Sequence, residues 1–149
     1  MSGATSLFDA YLGAYEKINP TEEDIVIFCH DDIEIRDSAP VFIKNLKAAF
    51  DSPEVGFVGA AGTMELGEDA VWWDMSRWQR GRHRGKVIHI NKEGQEYLTP
   101  YGPPGEVVAL DGLFLAAKKQ VIDDVSLKKP EYFEGEWDFY DIHYTTQAF

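Results

Sequence analysis

Residues 25–34 read Ile25-Val26-Ile27-Phe28-Cys29-His30-Asp31-Asp32-Ile33-Glu34, five apolar side chains running straight into a polar, mostly acidic turn. An unbroken apolar run of that length, rich in β-branched residues, predicts a strand buried on both faces, as in a parallel sheet. Upstream, Leu7, Phe8, Tyr11, Leu12, Tyr15 and Ile18 form one apolar stripe at helical spacing. Thr5 or Ser6 is placed to cap that helix, and Asn19-Pro20 stops it. Downstream, Ser38 and Pro40 open a second helix carrying Phe42, Ile43, Leu46 and Phe50. Asp51-Ser52-Pro53 then turns the chain into a second apolar strand over 55–61. Helix, strand, helix, strand is the alternation of an α/β sheet, mixed overall and parallel in its first half.

The remainder is less regular. Residues 62–84 carry Trp72, Trp73 and Trp78 without a clear period. A hairpin is expected from 86–90 and 95–98 around Asn91-Lys92-Glu93-Gly94. Strands over 106–110 and 113–117 are separated by Asp111-Gly112, a short helix follows over 118–125, and another begins near Tyr140.

The bulk properties exclude several classes. A chain of 149 residues is long enough for one domain with a real core. At 44% hydrophobic and 27% charged residues it reads as soluble and globular. No apolar run approaches the roughly 18 residues needed to cross a bilayer. Met1-Ser2-Gly3-Ala4-Thr5 has neither the basic nor the apolar region of a leader peptide, and the single Cys29 fits a reducing compartment, so a cytoplasmic location is expected. The 26 acidic against 14 basic residues leave a net charge of −12, which argues against a nucleic-acid partner. Against that background Arg77, Arg80, Arg82, His83, Arg84 and Lys86 stand out as one basic segment. It reads either as a solvated loop or as a patch, with Arg82 and Arg84 foremost, for an anionic group such as a diphosphate.

In open α/β sheets ligands gather outside the carboxyl ends of strands, where His30, Asp31, Asp32 and Glu34 fall. Carboxylate oxygens there suit Mg²⁺ or Mn²⁺, and imidazole suits the latter. Such a cation neutralises a nucleotide diphosphate and stabilises its departure. The plainer reading is an acidic turn leading to the Ser38 cap. Trp72, Trp73, Trp78, Tyr97 and Tyr101 read either as sugar-stacking rings or as a small core under a long loop.

The order of these segments resembles the family 2 glycosyltransferases of the GT-A type and their relatives. It runs from apolar strand, acidic turn and amphipathic helix to the Val-Gly-Phe-Val-Gly strand, an Asp-Gly strand and a late aromatic-acidic stretch. In that family a D-x-D motif ends the strand matching residues 25–29. Here the triplet is His30-Asp31-Asp32, with His30 in place of the first acid and Asp32 kept. The resemblance implies sugar transfer from a nucleoside-diphosphate donor to an acceptor hydroxyl, assisted by a divalent metal. It assigns Asp32 and His30 to the metal, with His143 as a further candidate, and Asp31 to the donor. Val107 to Lys118 is similar to the family's acceptor-side strand pair, which puts Asp111 and Gly112 at the acceptor. Phe133 to Tyr144 resembles the stretch that ends in an acidic pair before a helix. There Asp141 is the candidate base, with Glu136 and Asp138 behind it, and Trp137 and Glu136 face the acceptor.

The resemblance implies that the family's opening strands, which grip the nucleotide base, and its C-terminal end have no counterpart here, so residues 1–149 are expected to be one partial domain. A sheet edge left open in that way invites self-association. Two rival readings stay open. One is a non-catalytic sugar-binding module on the same fold. The other is a metal-dependent hydrolase built on His30, Asp31, Asp32 and His143.

Overall fold

Ser6 begins the first helix by accepting a hydrogen bond from the Asp9 amide at 3.1 Å, and Asn19 ends it in the left-handed region. The computed structural model describes residues 4–149. In chain order the elements are α1 (Leu7–Ile18), β1 (Ile25–Cys29), α2 (Ala39–Ala49), β2 (Phe57–Gly59), β3 (Ala61–Thr63) and α3 (Met75–Gln79). They continue as β4 (His83–Ile90), β5 (Glu96–Gly102), β6 (Ala109–Leu110), β7 (Phe114–Lys118), α4 (Lys119–Asp124) and α5 (Tyr140–Gln147).

The strands form two sheets, ordered β1-β7-β2 and β5-β4-β3-β6. Every ladder among the described residues is antiparallel, which corrects the expectation of parallel pairing. The reason lies in β7. It runs back from the Asp111-Gly112 turn and inserts between β1 and β2. Those two strands therefore point the same way yet never pair with each other.

The expected strand at 55–61 is two strands, because Ala60 marks the change from one sheet to the other. Near Ala60, Gly85 adopts φ +95 at an irregularity in the β4 ladder, where a side chain would collide with the Ala60 carbonyl. The hairpin formed by β4 and β5 leaves the sheet from that point.

The β1-β7-β2 sheet is covered unequally. On one face α1, α4 and α5 pack Phe8, Tyr11, Ile122, Tyr140 and Tyr144 against Val26, Phe28, Leu115 and Ala117. On the other, α2 lays Leu46 and Phe50 over Ala116, beside Val58 and Phe114. That contact reaches β1 only at Ile25, so the rest of β1 is not buried on both faces. Val26 and Phe28 are buried, whereas Ile27 is 36% exposed and Cys29 is exposed. β1 also forms an edge of its sheet. A second, smaller core holds Ala61, Trp72, Ala109 and Ile142 beneath the long 64–82 segment, so Trp72 is a packing residue. Among the described residues no helix is long and apolar enough to cross a membrane.

Candidate active site

Three chain segments meet at one end of the central strands: the end of β1, the turn between β6 and β7, and the first turn of α5. The β ladder sets the first two side by side. Cys29 lies opposite Phe114, and the His30 amide donates to the Leu113 carbonyl at 3.1 Å. The Asp111 amide donates to the Ala61 carbonyl at 2.9 Å, and its carboxylate Oδ1 accepts from the Leu113 amide at 2.8 Å. Asp111 is thus the turn aspartate its neighbouring glycine suggests, and it also faces the site.

The third segment is bound to the second through Asp141. Its Oδ2 accepts from the Gly112 amide at 2.9 Å, and its Oδ1 from the Ile142 amide at 2.8 Å. Next to it, the Tyr140 hydroxyl shares a hydrogen bond of 3.0 Å with His30 Nε2. Gly112 makes this closure possible. A Cβ there would collide with the Tyr140 hydroxyl and ring.

Electrostatics follow from the burial. Burial pushes the Asp141 carboxyl up to about 6, against hydrogen bonds from Ile142 and Gly112, and the negative charge of Asp111 adds to the rise. Burial raises Asp111 as well, opposed by the Leu113 amide and by the imidazoles of His30 and His89. Tyr140 is raised too, first by burial and then by its acidic and phenolic neighbours. A buried carboxylate with its pKa moved toward neutrality takes a proton from a substrate better than a surface one does.

The other candidates fall in different places. Asp31 and Asp32 are exposed in the turn after β1, at the same end of the sheet as the two buried acids. Glu136, Trp137 and Asp138 are exposed, Trp137 at 53%. Their segment is tied down where the Leu7 amide donates to the Glu136 carbonyl at 3.0 Å. Arg82 and Arg84 lie elsewhere. Thr63 is opposite both His83 and Ala109, while Ala61 is opposite Gly85 and accepts from Asp111. The start of β4 is therefore at the far end of this ladder from Asp111. Arg82 pairs with Glu65 at 3.5 Å, and Arg84 donates to the Gly81 and His83 carbonyls at 2.9 and 2.8 Å.

His143 is set apart from His30 and Asp32. Two positions along α5 from Asp141, its ring packs 5.7 Å from that of Phe8. Among the described residues no three His, Cys, Asp or Glu side chains gather closely enough to hold a metal by themselves. The four-residue cluster behind the hydrolase reading is therefore not assembled. The carboxylates of Asp31 and Asp32 still offer the hard oxygens a Mg²⁺ or Mn²⁺ takes when substrate phosphates supply part of its shell.

Two site residues escaped the sequence reading. Tyr140 reaches His30 only through tertiary packing, and no local pattern marks it. His89 was legible in principle. It shares a face of β4 with Val87, alternating with the exposed Ile88 and Ile90, and stacks on Tyr97 with centroids 5.0 Å apart and planes 14° apart.

A family model described as a glycosyltransferase-like family matches residues 2–148. No curated protein and no solved structure matches the chain.

Proposed function

The chain belongs to the glycosyltransferase-like family, and from that premise we propose transfer of a sugar from a nucleoside-diphosphate donor to an acceptor hydroxyl, on a GT-A-type framework. The observation that carries this reading is the convergence of Asp141, Asp111 and His30 where three segments close around Gly112. Asp141 takes the proton of the acceptor hydroxyl as that oxygen attacks the anomeric carbon. The bond from that carbon to the diphosphate oxygen breaks in the same in-line displacement, and the nucleoside diphosphate leaves with the electron pair. Asp111 orients the acceptor by accepting a hydrogen bond from one of its hydroxyls. The His30–Tyr140 hydrogen bond holds the end of β1 against α5, so that Asp31 and Asp32 present to the donor. Asp32, with Asp31 and His30 beside it, would hold a Mg²⁺ or Mn²⁺, which would supply neutralisation of the diphosphate charge.

The test is a titration of the purified chain with UDP and GDP, with and without Mn²⁺. Metal-dependent binding of one nucleotide, lost in Asp32→Ala, is expected. Nucleotide binding indifferent to metal and to Asp32 would sink the assignment. The exposed rings of Trp137 and Tyr97 favour a second reading, a non-catalytic glycan-binding module. Glycan affinity without nucleotide affinity would select it. Self-association through the open edge of β1 belongs to the same proposal, and light scattering over a concentration series tests it.

A further inference from the structure

Beyond Gly85 the β4–β5 hairpin stands alone. The β3 ladder ends where Ala61 lies opposite Gly85, and from Lys86 to Ile90 the one strand beside β4, among the described residues, is β5. Residues 86–90 and 96–100 therefore form a two-stranded ribbon with no third strand behind it, an arrangement of marginal stability in water by itself.

The two faces of the ribbon differ. Lys86 is opposite Pro100, Ile88 opposite Leu98 and Ile90 opposite Glu96, so these six side chains share one face. All six are exposed. On the other face Val87 packs on the core around Trp72, and His89 and Tyr97 stack on each other. A strand face turned to water is ordinarily polar. This one has an aliphatic middle, in which Ile88, Ile90 and Leu98 are 49%, 56% and 54% exposed. A contiguous apolar patch with polar corners marks an interaction surface.

The corners point to the occupant. Lys86 and Glu96 sit diagonally across the face. Among the described residues Lys86 makes no ion pair, so its corner is positive. At the opposite corner Arg36 is shared between Glu96, at 2.6 Å, and Glu34, at 3.4 Å, which leaves one negative charge over. The face is thus close to neutral on a chain whose net charge of −12 makes two copies repel elsewhere. It is also self-complementary. A two-fold axis lying across the strands, through the row of Ile88 and Leu98, lays each of these residues on its equivalent in a second copy. The same axis brings Lys86 of each copy beside Glu96 of the other. Edge-to-edge pairing is the poorer arrangement, because the outermost strand β5 carries Pro100, which has no N–H to donate. The six residues offer roughly 500 Å² per copy, or about 1,000 Å² in all, which is the lower bound for a specific interface and suits a weak dimer.

We infer that this outer face of the β4–β5 ribbon is a dimer interface, covered by the same face of a second copy of this chain. The contact does not use the open edge of β1, and it stands apart from the transferase reading.

Sedimentation velocity on the full chain, from about 1 µM to 1 mM, tests it, in about 0.15 M salt so that only charges within roughly 8 Å act on each other. A monomer–dimer equilibrium is expected, with Kd on the order of 10⁻⁵–10⁻⁴ M. Ile88→Lys changes a half-exposed side chain, so the fold is retained, and circular dichroism checks this. It should weaken the dimer about tenfold or more. Lys86→Glu should weaken it by about threefold to tenfold, and adding Glu96→Lys to that variant should restore most of the loss. The restoration is a result that damage to the ribbon would not give. Ile27→Lys, at the edge of β1, should leave the dimer unchanged. A monomer throughout the series, a dimer indifferent to Ile88→Lys, or a charge exchange no better than Lys86→Glu alone would each overturn the interface. Loss of the dimer in Ile27→Lys would overturn it too and assign the contact to β1.

Discussion

The two ends of the β3 ladder hold two polar regions, and they are built on opposite principles. At the Ala61 end, Asp111 and Asp141 are largely buried and held by backbone amides. Burial pushes both pKa values up, and the charge of Asp111 adds to the rise at Asp141. At the Thr63 end, the arginines around α3 are matched with neighbours in their own segment. Arg77 is paired with Asp69, Arg80 and Arg82 with Glu65, and Arg84 with backbone carbonyls. In the first region folding holds charged groups where each is worse off than in water, which is the condition for reactivity. In the second the charges are satisfied, those of Arg80 and Arg82 at the surface, and exposed pairs contribute little. A basic run in a sequence is conspicuous, but burial identifies the working group.

The contrast predicts its largest effect at Asp141. Asp141→Asn keeps the shape and one acceptor oxygen but cannot take a proton. In an assay of sugar release from the donor onto acceptor, turnover is expected to fall by about 10²- to 10⁴-fold. The circular dichroism spectrum and nucleotide affinity should stay as in the parent. A loss below tenfold would move the base elsewhere. In the parent, turnover should rise with pH through about 6 as the carboxyl ionises, a limb that the variant's residual activity should lack.

The same group yields a stability prediction of the next size. Its folded pKa of about 6 lies above the ordinary 3.8. Below about 4 the carboxyl is protonated in both folded and unfolded chains, and the site costs nothing. As pH rises the unfolded chain ionises first, so folded stability drops across the window and the full penalty is present above about 6. The shift corresponds to about 3 kcal/mol. Urea unfolding of parent and Asp141→Asn, taken as a difference at each pH from 4 to 7, should widen in the variant's favour across that window. A flat difference would mean the carboxylate is better hydrated than its burial implies. Gly112→Ala comes next, because its methyl group must displace Tyr140. A loss of about 1–3 kcal/mol in urea unfolding is expected, with the His30–Tyr140 hydrogen bond broken.

How much of this was legible in the residues follows the same division. α1, β1, α2 and the β4–β5 hairpin were readable because caps, prolines and apolar spacing act locally. The antiparallel insertion of β7 was not, since an apolar run such as Ile25 to Cys29 suits any central strand, and Phe114 to Lys118 carries no mark of its partners. Asp141, Asp111 and His30 stand out in the sequence because each sits at an element boundary, where polar residues interrupt apolar ones, and the fold brings the three together. His143 packs against Phe8 rather than beside His30 and Asp32 for a geometric reason. Two positions on a helix seem adjacent in sequence but face nearly opposite ways. Tyr140, invisible as a site residue, shows the remaining limit, because its role depends wholly on Gly112 leaving room for it.

The smallest effect tests the other half of the contrast. Arg82→Gln removes a charge that is exposed and 3.5 Å from Glu65. A surface pair of that kind is worth at most about 1 kcal/mol and often much less. Glu65 keeps Arg80 as a partner, which reduces the loss further. A stability change below about 0.5 kcal/mol is therefore expected, with UDP affinity in Mn²⁺ unaltered. The second quantity carries the weight. The ladder separates Arg82 from Asp111, so a tenfold fall in UDP affinity would require the 64–82 segment to swing across the end of β3 when donor binds. The two regions would then be one site in two conformations, and burial would have identified only the half that is already in place.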